Sequence, residues 1–121
     1  MTADPARDWT TGRAAIGYQS CRPAGHRWSF RRAFCPVCGS ADVENRDASG
    51  RGRVYAVTTV NRAPSDALRA LAPYRIVIVE ADEGFRLMAH GVEGLAIGDR
   101  VEARFEPFGA LLIPLFDRLA P

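Results

Sequence analysis

A chain of 121 residues, 47% apolar and 25% charged, has the length and balance of one folded domain with at most a small appendage, which excludes a disordered or fibrous protein. Its net charge of +2 is too small to demand a nucleic-acid partner, although all 16 basic residues are arginine. The longest apolar runs, YRIVIVEA and GALLIPLF, fall far short of the ~20 residues a membrane-spanning helix requires. The start MTADPARDW carries no apolar signal segment, so the cytoplasm is the expected compartment.

Residues 1–13 form a polar arm that opens on Asp4-Pro5 and has Trp9 as its large anchor. AAIGYQS (14–20) reads as a short strand. Residues 21–46 hold few aliphatic side chains, too few to bury a core without a cross-link or a neighbour. SGRGR (49–53) reads as a flexible, Gly-rich junction, and the character of the chain changes after it. RVYAVTTVN (53–61) and YRIVIVEA (74–81) are apolar on both faces, as strands buried on two sides are. FRLMAHG (85–91) follows across the turn Asp82-Glu83-Gly84. In RVEARFE (100–106), Val101, Ala103 and Phe105 alternate with charged residues. LLIPLFD (111–117) closes the series, with Pro114 marking an edge or a bulge. Five short strands at this spacing predict a small antiparallel barrel, with a short helix capped by Ser65 and ended by Pro73 between the first two.

The chemistry of the chain is concentrated in CRPAGHRWSFRRAFCPVCGS, residues 21–40. Thiols stay reduced in the cytoplasm, so its three cysteines read as metal ligands or packed side chains and not as a disulfide. CPVCGS is a complete metal knuckle: Cys35 and Cys38 are spaced so that one tight turn brings both sulfurs to a single ion, and Gly39 permits the backbone of that turn. CRPAGH has the same outline, but Ala24 stands where a fourth thiol belongs. A structural zinc site closes a tetrahedron of four ligands. His26 is the nearest candidate to complete Cys21, Cys35 and Cys38, with water as the alternative. The competing reading makes the thiols small buried residues in a ribbon held by packing of Trp28, Phe30 and Phe34.

The order of these parts resembles a known family, in which a rubredoxin-like zinc ribbon precedes an OB-fold. Its members are acyl-CoA-associated accessory subunits of thiolase-like or hydratase-like enzymes. The matching features are CxxxGH followed by FRRAFCPVCGS, SGRGRVYAVTTV, PYRIVIVEADEGFRLMAHGV, IGDRVEARFE and the closing IPLF, and they run over residues 18–117. The family's first knuckle reads CxxCGH, so Ala24 is a departure, and the arm here is shorter than the family's helical arm. The resemblance implies a mainly β chain with an N-terminal arm (1–13), a degenerate zinc-ribbon segment (14–48) and a five-stranded OB-fold barrel (49–121). It implies a non-catalytic subunit that docks on a thiolase-like or enoyl-CoA hydratase-like partner and supports acyl-CoA binding.

The residues add their own expectations. The closing run offers Leu112, Ile113, Leu115 and Phe116, more apolar surface than one edge strand buries, and so a candidate partner-binding face. Arg51 and Arg53 flank Gly52, where a backbone free to approach closely beside two guanidinium groups is a candidate site for the phosphates of coenzyme A. The alternative function is an OB-fold nucleic-acid-binding module, with Arg75 and Arg86 on its candidate face but no aromatic stacking ladder. No GxSxG, P-loop, GxGxxG or HExxH motif is present, and the reading is of a chain that is not an enzyme on its own.

Overall fold

The computed structural model describes residues 7–62, 65–69, 72–108 and 111–119; of Ala67, Leu68 and Leu111 it describes the backbone alone. The Asp4-Pro5 start of the arm, parts of the expected 65–73 helix and the side chain of Leu111 lie outside the described residues. A single 3-10 turn, Trp9–Thr11, follows Asp8. Strands β1 (Gly17–Cys21), β2 (Arg27–Trp28) and β3 (Val43–Asp47) make an antiparallel sheet in the order β2-β1-β3. Strand β4 (Arg51–Val60), helix α1 (Asp66–Arg69), and strands β5 (Tyr74–Ala81), β6 (Arg86–Gly91), β7 (Arg100–Phe108) and β8 (Leu111–Arg118) follow. The last five strands close into a barrel in the order β4-β5-β6-β8-β7, the five-stranded OB-fold expected from the sequence. No helix among the described residues is long and apolar enough to cross a membrane.

Pairing explains how so few strands close. β4 is long, pairs with β5 along its length and meets β7 through Arg51–Arg53. A register shift between Val54 and Ala56 bends it, as a bulge does at a barrel corner. The parallel contact of β6 with β8, His90 with Leu115 and Gly91 with Phe116, seals the barrel. Pro114 sits just before that contact starts, where its missing N–H costs no bond to β6.

The barrel buries one face only. In β4 Val54 is buried while Tyr55, Thr58 and Thr59 are exposed, so this strand is not the two-sided apolar strand its composition suggested. Thr58 and Thr59 on the outer face of β4 are exposed, and the β-branched residues there serve strand propensity. SGRGR is likewise no flexible hinge: Gly52 and Arg53 are paired on both sides, to β5 and to β7, and Arg51 pairs with Glu102 of β7.

Val54, Val77, Val79, Ala81, Phe85, Leu87, Val101 and Phe116 fill the barrel, and Ile16 and Tyr18 join them from the ribbon side. Tyr18 stacks on Phe85 with ring centroids 4.7 Å apart. A second, smaller cluster contains Cys21, Trp28 and Cys35, with Val43 against it. The ribbon sheet is therefore anchored in the barrel at one end and held by the cysteine cluster at the other.

Candidate metal centre and docking surface

Two turns with one hydrogen-bond pattern build the cysteine cluster. In the complete knuckle the N–H of Gly39 donates to the Cys35 carbonyl (2.9 Å) and that of Cys35 to the Ser40 carbonyl (2.8 Å). In the incomplete one the N–H of Gly25 donates to the Cys21 carbonyl (2.7 Å) and that of Cys21 to the His26 carbonyl (2.8 Å). Gly25 and Gly39 both adopt the left-handed conformation, with φ of 74° and 77°. The ribbon thus keeps the backbone of both knuckles although Ala24 offers no ligand. Because Ser20 pairs with Arg27, Cys21 and His26 stand opposite one another across the hairpin, on one face of it.

The four side chains converge. The Sγ atoms of Cys21 and Cys38 are 3.6 Å apart, Cys35 Sγ lies 3.4 Å from His26 Nδ1, and all four ligand atoms fall within 4.8 Å of one another. With Zn–S of about 2.3 Å and Zn–N of about 2.0–2.1 Å, a tetrahedron has S–S edges of about 3.8 Å and S–N edges of about 3.5 Å. The donor set therefore fits a metal ion of that size. Cys21 and Cys35 are buried, His26 is half-buried and Cys38 is exposed.

The thiols are not alike. Burial raises the pKa of Cys21. Burial also acts upward on Cys35, but the backbone N–H groups of Cys38 and Val37, with smaller help from the Cys38 thiol and His26, outweigh it and hold Cys35 at about 6. A thiolate is thus present at neutral pH where a cation would be bound. The packing alternative fares worse. Trp28 is buried, but Phe30 and Phe34 are 77% and 60% exposed, so neither is part of a buried core.

The other expected residues lie apart from this centre. Arg51 and Arg53 project on the outer face of β4, Arg51 paired with Glu102 (2.8 Å) and Arg53 donating to the Gly98 carbonyl (3.2 Å). The close approach that Gly52 permits is made by β5: a Cβ there would meet the Glu80 carbonyl oxygen at 2.5 Å and Val79 Cγ1 at 2.6 Å. Phe116 is 1% exposed and belongs to the barrel core, which removes it from the partner-binding set. Ile113 and Leu115 stand opposite Glu106 and Arg104 on the other face of β8 and are half-buried, as is Leu112. His90 stacks on Tyr74 (5.0 Å), and burial lowers its pKa.

Sequence reasoning missed a cleft of about 480 Å³ where ribbon meets barrel, lined by Trp28, Phe30, Arg32, Pro36, Phe85 and Arg86. Phe30 was legible as a large residue in a stretch with no strand period, but nothing in its neighbours told that it faces out.

Residues 45–106 match the family model described as ChsH2, C-terminal OB-fold domain. A "DUF35 domain-containing scaffold protein" of Methanothermobacter thermautotrophicus is 30% identical over 112 residues, 87% of this chain and 84% of that protein. The chain belongs to the DUF35 family. A second DUF35 scaffold protein, from Methanocaldococcus jannaschii, is 37% identical over 90 residues, which are 70% of this chain and 63% of that longer relative. A "probable enoyl-CoA hydratase alpha subunit" of Thermomonospora curvata is 38% identical over 68 residues, 56% of this chain but 20% of that protein. Among solved structures, a chain of the "Ltp2-ChsH2(DUF35) aldolase" superposes with a TM-score of 0.73 at 28% identity, covering 86% of this chain and 84% of that one. A DUF35 protein of Sulfolobus solfataricus, at 14% identity and a TM-score of 0.57, shares the fold.

Proposed function

We propose that this DUF35 chain is a non-catalytic scaffold subunit that docks on a thiolase-like or enoyl-CoA hydratase-like enzyme and supports its acyl-CoA site. The observation that carries the reading is the match over 84% of the length of a protein named as a scaffold, reinforced by the likeness to a chain of the "Ltp2-ChsH2(DUF35) aldolase". The chain's own residues support it. The side chains of Cys21, His26, Cys35 and Cys38 converge on one another, and His90 is stacked on a tyrosine ring.

In this reading the partner covers β8 through Ile113 and Leu115 on its outer face, with the half-buried Leu112 near the start of the strand at the margin of that contact. The exposed Arg51 and Arg53 meet the phosphates of coenzyme A, Arg51 exchanging Glu102 for the ligand. Zinc would be held at the thiols of Cys21, Cys35 and Cys38 and would fix the ribbon structurally. A nucleic-acid interface has less support. Arg75 pairs with Glu93, while Arg86 lies 3.8 Å over the Tyr55 ring and 3.5 Å from Glu80, so neither guanidinium belongs to an open basic groove.

Affinity purification of the tagged chain from its host, with mass spectrometry of what comes with it, tests the proposal. An acyl-CoA enzyme subunit is expected, and Ile113→Asp with Leu115→Asp should release it while the barrel stays folded. A clean monomer, or turnover of a thioester by the chain alone, would overturn the reading.

A further inference from the structure

The missing thiol at position 24 changes the character of the metal centre in a way the cross-strand geometry specifies. We infer that this chain has replaced the first knuckle's second cysteine by a cross-strand ligand, Nδ1 of His26, giving a mononuclear site of three thiolates and one imidazole. The inference rests on the reading that the ribbon takes a metal, and it names the ligand set.

Three observations carry it. The two knuckles share their backbone hydrogen bonds and their left-handed glycines, so His26 occupies in the first turn the place that Ser40 occupies in the second. That place is directly opposite the first cysteine of its turn, where a side chain shares the cysteine's face. From the equivalent place a serine hydroxyl contributes nothing to the cluster, but an imidazole is long enough to reach it. His26 does reach it: Nδ1 is 3.4 Å from Cys35 Sγ, close to the S–N edge of about 3.5 Å that a zinc tetrahedron has. Cys21 and Cys38 are 3.6 Å apart along another edge, and the four atoms fall within 4.8 Å. Ala24, where the lost thiol would project, is exposed.

The exchange has a chemical consequence. Three thiolates and a neutral imidazole around Zn²⁺ leave a single negative charge on the centre, where four thiolates leave two.

The test uses the full chain, purified with zinc or with Co²⁺ in its place. The wild type should hold one metal ion per chain by native mass spectrometry, and its Co²⁺ form should show the absorption of a tetrahedral ion with thiolate-to-metal charge transfer. His26→Ala should lose zinc to a chromophoric chelator by more than the roughly 10–100-fold that losing an outer-shell partner costs. Ala24→Cys combined with His26→Ala should restore retention with stronger charge transfer, one thiolate having been added. The double variant guards against reading a misfolded single variant as a lost ligand. His26→Ala with unchanged zinc retention and unchanged Co²⁺ spectrum would overturn the ligand assignment alone. A wild type that binds neither ion would overturn the metal reading itself.

Discussion

Gly52 shows how a single residue can be read for the wrong reason. Its lack of a side chain is required because the Glu80 carbonyl and Val79 Cγ1 occupy the space a Cβ would take, at 2.5 and 2.6 Å, and not because a ligand approaches it. Backbone cannot yield as a flexible side chain can, so Gly52→Ala should destabilise the barrel by about 1–3 kcal/mol, the range for overpacking a well-filled interior. Urea unfolding followed by far-ultraviolet circular dichroism measures this. A variant with an unchanged midpoint would show that β4 and β5 can separate locally at no cost. Phe116 carries the same lesson. The run LLIPLF has no polar residue to mark its phase, so composition could not say which of its side chains face in. Its neighbour β7 could: the alternation of Val101, Ala103 and Phe105 was plain, and Ala103 stands opposite Phe116. What was missing was the register between the two strands, which depends on closure of the whole barrel. Cys35 and Cys38, by contrast, were legible outright, because the CxxCG turn is local.

At the scale of the element, two carboxylates, Asp82 and Asp99, fix the start of β7. Arg100 donates to both oxygens of Asp82, at 2.7 and 3.0 Å, tying the β5–β6 turn to the start of β7. Asp99 accepts from the Ala96 N–H (2.9 Å) and from Arg118 (3.1 Å), closing the turn before β7 onto the end of β8. The Arg100 hydrogen bond holds the pKa of Asp82 below 3.8, and the Ala96 N–H with Arg118 does the same for Asp99. A carboxylate whose folded pKa is depressed adds stability that is fully present above its unfolded pKa and is lost as pH falls through the folded value. The barrel should therefore lose melting temperature as pH drops below 3.8. Asp82→Asn with Asp99→Asn should start lower at neutral pH and flatten that acid slope. An acid slope as steep in the double variant as in the wild type would place the responsible groups elsewhere. Both side chains are partly solvated, so the effect at neutral pH is expected to be small beside that of Gly52→Ala. These pairings were hidden in the sequence, where Asp82 reads only as a turn residue and its partner lies eighteen positions away.

For the whole molecule, the division into ribbon and barrel is real in topology but incomplete in packing. Ile16 and Tyr18 are ribbon residues by position, yet they are 3% and 5% exposed within the barrel's own cluster, and Tyr18 stacks on Phe85. Arg27 adds a second tie, its guanidinium donating to the Glu83 carbonyl, and the Ser49 N–H donates to the Glu83 carboxylate (2.8 Å). Among the described residues, the buried apolar cluster in the remainder of the ribbon is small: Cys21, Trp28 and Cys35, with Val43 against them. Removal of a bound metal should accordingly release the two knuckle turns while β1 stays seated on the barrel. A chelator should change Trp28 fluorescence at concentrations and temperatures where barrel circular dichroism is unaltered. Tyr18→Ala should act in the opposite sense. It empties a site inside the barrel cluster, so a loss of about 3–5 kcal/mol is expected. That loss should appear in both probes at one coincident transition, even with zinc present. If Tyr18→Ala moved only the fluorescence transition, the ribbon would be an independent unit resting on the barrel. If the chelator moved both transitions together, the metal would be holding the barrel as well, and the cysteine cluster would be the keystone of the entire chain.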